Sequence, residues 1–301
     1  VVSGTAFRPR GLVAAMNRPA LLAAVVAFAV LAAGCSQPKE SASPSPSATS
    51  SSSASAASTQ PPAVPAANAS ARLPTLGLDG CRNFGGVFPV PVESAQAVLP
   101  PGFEPVPTPS DPAGGATLYV LGLRCEGSSV DGVVTGASDL LYAELAVVPA
   151  ADQRIRGLDD CTVPVLFASG NAAVGEALAR LRLGLAGAGE VAWAEHTGAG
   201  DVIVAATLGG ASVTLRGTVA SAEPAASLGD GSFAVYAVQG GAVQAALRGH
   251  ATSGTVQHAA ATLEAAGAPA PIGDARPAAS GFTATGFSAA GFSLTFEDAA
   301  P

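Results

Sequence analysis

The chain has 301 residues, room for one large domain or two small ones, with 49% hydrophobic residues, only 5% aromatic, and a net charge of −8. Fourteen basic against 22 acidic residues argue against nucleic-acid binding, which needs clustered Lys and Arg to neutralise phosphates. They also argue against docking on anionic lipid through a basic patch.

Residues 19–34, PALLAAVVAFAVLAAG, carry no charge and follow Arg18. Their apolar core, Leu21 to Ala33, is 13 residues long. A spanning helix needs about 20, so the segment reads as an export signal. Met16 is the expected start, because MNRPALLAAVV makes a compact charged n-region, with residues 1–15 a mis-assigned leader. The segment ends in Leu31-Ala32-Ala33-Gly34-Cys35, which resembles the lipobox of bacterial lipoproteins. That resemblance implies a lipid on Cys35, cleavage after residue 34, and attachment to the extracytoplasmic face of the bacterial cytoplasmic membrane. The position three before the Cys is Ala32 where the family favours Leu, a mild departure. Loss of residues 1–34 removes three arginines and no acid, leaving a charge near −11.

Residues 36–72 are dominated by Ser, Ala and Pro, with Val64 the one large apolar residue. Such a stretch buries too little surface to offset its ordering entropy, so residues 35–72 are expected to be a lipidated Cys and a disordered tether. Residues 73–301 then form a single β-rich domain.

Within it, ATLYVLGLRC (116–125) and DLLYAELAVV (139–148) are apolar on both faces and read as well-buried strands. DVIVAATL (201–208) and ASVTLRGTV (211–219) flank Gly209-Gly210, a hairpin signal, since a tight hairpin turn needs positive φ. FAVYAV (233–238) and FSLTF (292–296) read as shorter strands, and Trp193 sits in an alternating EVAWAEH. Helices are expected over 91–99, over 172–185 with Asn171 as N-cap, and over 255–266 (TVQHAAATLEAA). The Gly-Phe pairs at 281–282, 286–287 and 291–292 read as irregular C-terminal structure.

Outside the cytosol thiols tend to pair, and Cys81, Cys125 and Cys161 allow one bridge with three choices. Their wide spacing argues against a metal site. His196, His250 and His258 are scattered, and no GxSxG, HExxH or P-loop occurs. No catalytic residue, metal or cofactor is assigned.

Three stretches together resemble the acetoacetate decarboxylase family: FPVPVESAQAVLPPGFEPVP (88–107), Tyr142-Ala143-Glu144, and VLFASGNAAVGEALARLRLGL (165–185). The resemblance covers most of 80–220. It implies a mainly β (α+β) fold, an antiparallel β-cone or barrel-like domain with a few short helices, whose interior binds a small organic molecule. In that family a lysine forms a Schiff base with a keto acid. The only lysine here is Lys39, in the tether, and Arg180 and Arg182 near the expected position stay protonated. Decarboxylase chemistry is therefore expected to be absent.

Glu144 shares a strand face with Leu140, Tyr142 and Val148; pointing inward, it would need a partner, for which Arg82, Arg124 or Arg182 could serve. The expected cavity thus comprises Glu144, Tyr142, Arg124 and Arg182. The leading expectation is a lipid-anchored, non-catalytic domain that binds a small organic ligand. The alternatives are a lysine-independent enzyme using Glu144 and a structural or interaction module of the envelope. The sequence does not indicate an oligomeric state.

Overall fold

The structure, a computed structural model, describes residues 73–108, 111–196, 200–219, 226–275 and 284–299. The export signal, Cys35, the tether and the first Gly-Phe pair lie outside the described residues. No described helix is long and apolar enough to cross a membrane.

The main elements in chain order are β1 (Leu76–Pro91), α1 (Val92–Gln96), β2 (Asp111–Val130), β3 (Ser138–Val148), β4 (Cys161–Ser169), α2 (Ala172–Leu181), β5 (Glu190–His196), β6 (Asp201–Leu208), β7 (Ala211–Val219), β8 (Gly231–Gln239), β9 (Ala242–Ala251), β10 (Gly254–Ala266) and β11 (Ala284–Asp298). Short strands at Glu104–Pro105, Pro107–Thr108, Val133–Val134, Leu185–Ala188 and Ala226–Leu228 pair along their edges.

Seven strands close on themselves in the order β1-β2-β3-β4-β8-β9-β11, with β11 returning to β1. Closure removes the exposed edges an open sheet would present. Only β4–β8 is parallel within this ring. The sheet forks at β11. One edge of β11 runs along β1, while the other meets β10 over residues 284–290 and β9 over residues 294–298. From β10 a wing continues through β7 and β6 to β5.

Two apolar clusters follow from period-2 alternation. One gathers Leu78, Leu123, Leu140, Phe167, Val235, Leu247 and Phe296, drawn from all seven ring strands, and is the barrel interior. The other joins the outer faces of β1–β4 (Phe84, Val120, Leu141, Leu166) to the wing (Trp193, Val204, Leu215). Both demand small residues at crossings. A Cβ on Gly217 would lie 1.7 Å from the Ala260 carbonyl oxygen, so β7 and β10 can approach only with glycine there.

Asn171 caps α2 as expected, its side chain accepting from the Ala173 and Val174 amides. The helix stops at Leu181, because Arg182 takes a left-handed conformation (φ 56°) and residues 185–188 join β4 as a strand. Val174, Leu178 and Leu181 turn into the interior cluster. The expected helix at 91–99 shortens to Val92–Gln96.

Two expectations are overturned. Residues 255–266 form strand β10, not a helix, since β7 and β11 both pair with it. Alanine favours helix intrinsically, but a ladder on both edges outweighs that preference. The Gly-Phe pairs at 286–287 and 291–292 are not irregular, because they lie within the 15-residue β11.

The disulfide joins Cys81 to Cys125 at directly opposed positions of β1 and β2. Cys161 is a buried thiol outside the bridge. The bridge is 44 residues apart in sequence, a loop whose closure is worth about 4 kcal/mol in the chain-entropy account. Adding reductant is therefore expected to lower the urea midpoint strongly. Cys161→Ala should leave that sensitivity intact, and Cys81→Ala with Cys125→Ala should abolish it.

Candidate functional site

The interior can be read layer by layer from the register. Asn83, Leu123, Leu140 and Ser169 face one another at one level. Gly85, Leu121, Tyr142 and Phe167 form the next, with Tyr142 and Phe167 rings 4.8 Å apart. Then come Val87, Tyr119 and Glu144, opposite Pro164 on β4. Pro89, Thr117, Ala146 and Thr162 follow.

Burial does not change smoothly along this stack. Leu121, Tyr142 and Phe167 are buried, and so are Thr117, Ala146 and Thr162. Between them Val87, Tyr119 and Glu144 are only half-buried. Pro89 in the last layer is half-buried as well. The interior therefore keeps accessible surface from the Glu144 layer toward that end of the barrel, and these side chains line that chamber.

Glu144 makes no salt bridge and no hydrogen bond of normal length among the described residues. Burial pushes its carboxyl up to about 7; the Thr162 hydroxyl nearby draws it partly back down. That hydroxyl nevertheless has no partner at bonding distance, and neither has that of Thr117 or the side-chain amide of Asn83. Tyr119 is raised to about 12 by burial, then by the Glu144 and Asp160 charges. Tyr142 is raised by burial and then by Glu144. Asp160, half-buried just ahead of β4, is itself raised to about 7 by burial and then by Asp159. The chamber therefore holds the Glu144 carboxyl and the Thr162 and Thr117 hydroxyls, with the Asp160 charge felt at Tyr119 and the Asn83 amide beyond the Tyr142 layer, and no described cation acts on Glu144. Buried polar atoms without partners are uncommon in folded proteins and call for an explanation.

Glu144 and Tyr142 stand together as expected, but the arginines do not join them. Arg124 lies on the opposite face of β2 from Tyr119. It holds Asp139 through two hydrogen bonds of 2.9 and 2.8 Å, donates to the Trp193 carbonyl, and sits 5.8 Å from the Trp193 ring centre. The Asp139 hydrogen bonds raise its pKa further. Arg82 pairs with Glu195 at 3.1 Å. Both line a surface groove of about 480 Å³ with Asp139 and Asn171, where each guanidinium already has a carboxylate. These pairs fasten β5 to the outside of the barrel. Arg182 is exposed at the end of α2 and donates to Gln244. Period-2 alternation is the reason for Arg124: residues an odd number apart on one strand face opposite sides.

Sequence reasoning missed Tyr119, Asn83, Thr117, Thr162 and Asp160. A signal for Tyr119 was present. Asp131-Gly132 carries positive φ at both residues (51° and 79°), the geometry of a two-residue hairpin turn. Counting back from it sets Tyr119 opposite Glu144.

No family model matches the chain, and no curated protein matches it. Among solved structures, the enduracididine biosynthesis enzyme MppR, complexed with the condensation product of pyruvate and imidazole 4-carboxaldehyde, gives a TM-score of 0.51 at 11% identity, covering 76% of this chain and 88% of that one. Acetoacetate decarboxylase from Legionella pneumophila gives 0.48 at 12% identity, covering 74% and 85%. An acetoacetate decarboxylase-like enzyme from Sphingomonas wittichii RW1 gives 0.44 at 13%, covering 75% and 90%. Identities this low speak to fold alone: a mostly β domain closed into a seven-stranded barrel with few helices, similar to the fold of the MppR enzyme.

Proposed function

We propose that the chain is a lipid-anchored, extracytoplasmic protein whose barrel binds a small organic molecule without transforming it. The observation that carries the binding reading is the chamber: a half-buried Glu144 with no cation against it among the described residues, eased only by the nearby Thr162 hydroxyl, and a buried Thr117 hydroxyl with no partner. Polar groups left so inside an apolar wall are costly unless something fills them. The anchor rests on the apolar segment ending in Leu31-Ala32-Ala33-Gly34-Cys35 and on the Ser/Pro/Ala spacer after it. The non-catalytic reading rests on chemistry. Lys39 lies in the spacer and no other lysine exists, so the domain has no side-chain amine to condense with a carbonyl.

Two measurements test this. Cys35→Ser is expected to move the chain from the membrane to the soluble fraction; continued membrane retention would defeat the lipid anchor. Borohydride treatment with acetoacetate is expected to leave the chain beyond residue 72 unmodified. A reduced adduct there would restore covalent catalysis.

A further inference from the structure

The chamber differs from most small-molecule sites in the sign of what it offers. Among the described residues its polar inventory is one carboxyl, the Thr117 and Thr162 hydroxyls without partners, and two tyrosines, with Asp160 within electrostatic reach of Tyr119. Arg82, Arg124 and Arg182, which sequence reasoning offered as partners, are engaged outside it with Glu195, Asp139 and Gln244. An anionic ligand would meet a carboxylate with no cation among the described residues to offset it, and like charges in a poorly solvated site repel strongly.

We propose that the chamber binds a small organic ammonium. Its charge lies against Glu144, its N–H groups reach the Thr162 and Thr117 hydroxyls, and its apolar part rests on Leu121, Tyr142 and Phe167. This rests on the small-molecule reading above and narrows it to one ligand class.

Three observations favour that class. Glu144 is the one carboxylate on the interior face of β3, and ionised it accepts only. A cation donor therefore satisfies it where a neutral acceptor would not. The hydroxyls of Thr162 and Thr117, each about as deeply buried as a side chain can be, have lone pairs to offer and no partner. The layer below is aromatic and aliphatic, which suits an alkyl or aryl group, and tyrosine rings attract cations. A bare metal ion fits poorly. Among the described residues no three His, Cys, Asp or Glu side chains converge, and hard cations such as calcium take about six to eight oxygen ligands.

The test uses the full chain in mild detergent at about pH 8.5, with n-pentylamine, 1-pentanol and pentanoate as probes of matched size, read by calorimetry and thermal shift. The amine is expected to bind about tenfold or more tighter than either analogue. Glu144→Gln should remove most of that preference. Asp160→Asn, outside the barrel strands, should weaken the amine by about threefold, and it keeps the test open should the Glu144 variant fail to fold. Lowering the pH to about 5.5 protonates Glu144 and Asp160, both raised to about 7, while Tyr119, Tyr142 and the amine keep their charge states. Amine affinity should fall by about tenfold there, and pentanol affinity should not.

Equal binding of the three probes overturns the ammonium assignment, as does tighter binding of pentanoate or an amine affinity indifferent to Glu144→Gln. In those cases the chamber is still a binding site. If no probe binds, and a wider set of ketones, acids and alcohols also fails to shift the melting temperature, the binding reading itself falls.

Discussion

Glu144→Gln is expected to make the protein more stable at pH 8 by about 2 kcal/mol, and to change its stability at pH 5 by less than about 1 kcal/mol. The direction follows from linkage. The Glu144 carboxyl sits at about 7 in the folded protein against an ordinary value of 4.5. Between those values the folded state holds a proton that the unfolded chain has released. Its favourable contribution is thus complete below the unfolded value and is lost as the pH rises through the folded one. Each unit of displacement corresponds to about 1.4 kcal/mol, and partial solvent access at Glu144 reduces the full amount. Gln keeps the shape and cannot ionise, so its urea-unfolding free energy should be flatter between about pH 4.5 and 7. A residual slope of the same sign should persist, because Asp160 is also raised to about 7. Should Glu144→Gln instead destabilise the protein at pH 8, the carboxylate would have a stabilising partner and the unpaired-acid account would fail. The pattern is that of a site maintained against stability, which is common where a ligand supplies the missing partner.

The parts of this fold that were legible are those whose signals are local. The β6–β7 hairpin is announced by Gly209-Gly210, both at positive φ, and by the alternation of Val213 and Leu215 with polar neighbours. The cap at Asn171 is equally local. Strand β10 was misread because alanine carries almost no face information: a run such as AAAT fits a helix or a strand, and its partners lie about 40 residues upstream and 30 downstream. Strand β1 went unread because glycine and proline interrupt it and its ladder is set by β2 and β11. In the site, alternation puts Glu144 on one face with Leu140 and Tyr142, but a strand apolar on both faces does not say which face is inward. A partner for Glu144 is not legible, because Arg82, Arg124 and Arg182 qualify by charge alone, whereas parity from the Asp131-Gly132 turn puts Arg124 on the other face.

Gly122→Ala is expected to destabilise the protein by about 2 kcal/mol, a cost that Val204→Ala should roughly halve by removing the two methyls while its Cβ stays close. Strand β6 of the wing crosses the outer face of β2 at this glycine. A Cβ there would lie 2.6 and 2.7 Å from the two Val204 methyls and 2.9 Å from the Val204 Cβ. Val204 cannot swing aside, since β-branching restricts its χ1 and the side chain is wholly buried in the outer cluster. Val204→Ala alone should cost about 2 kcal/mol in lost burial, so the double variant should fall short of additivity by about 1 kcal/mol or more. Strict additivity in the urea-unfolding cycle would mean that the wing does not pack on the barrel here. The same cycle separates wall from chamber. Gly122 and Val204 lie outside the barrel, on the face opposite Leu121 and Tyr119, so the pH dependence due to Glu144 should survive in all three variants. Loss of that dependence in Gly122→Ala would show that closing the wing is what keeps the Glu144 carboxyl out of water.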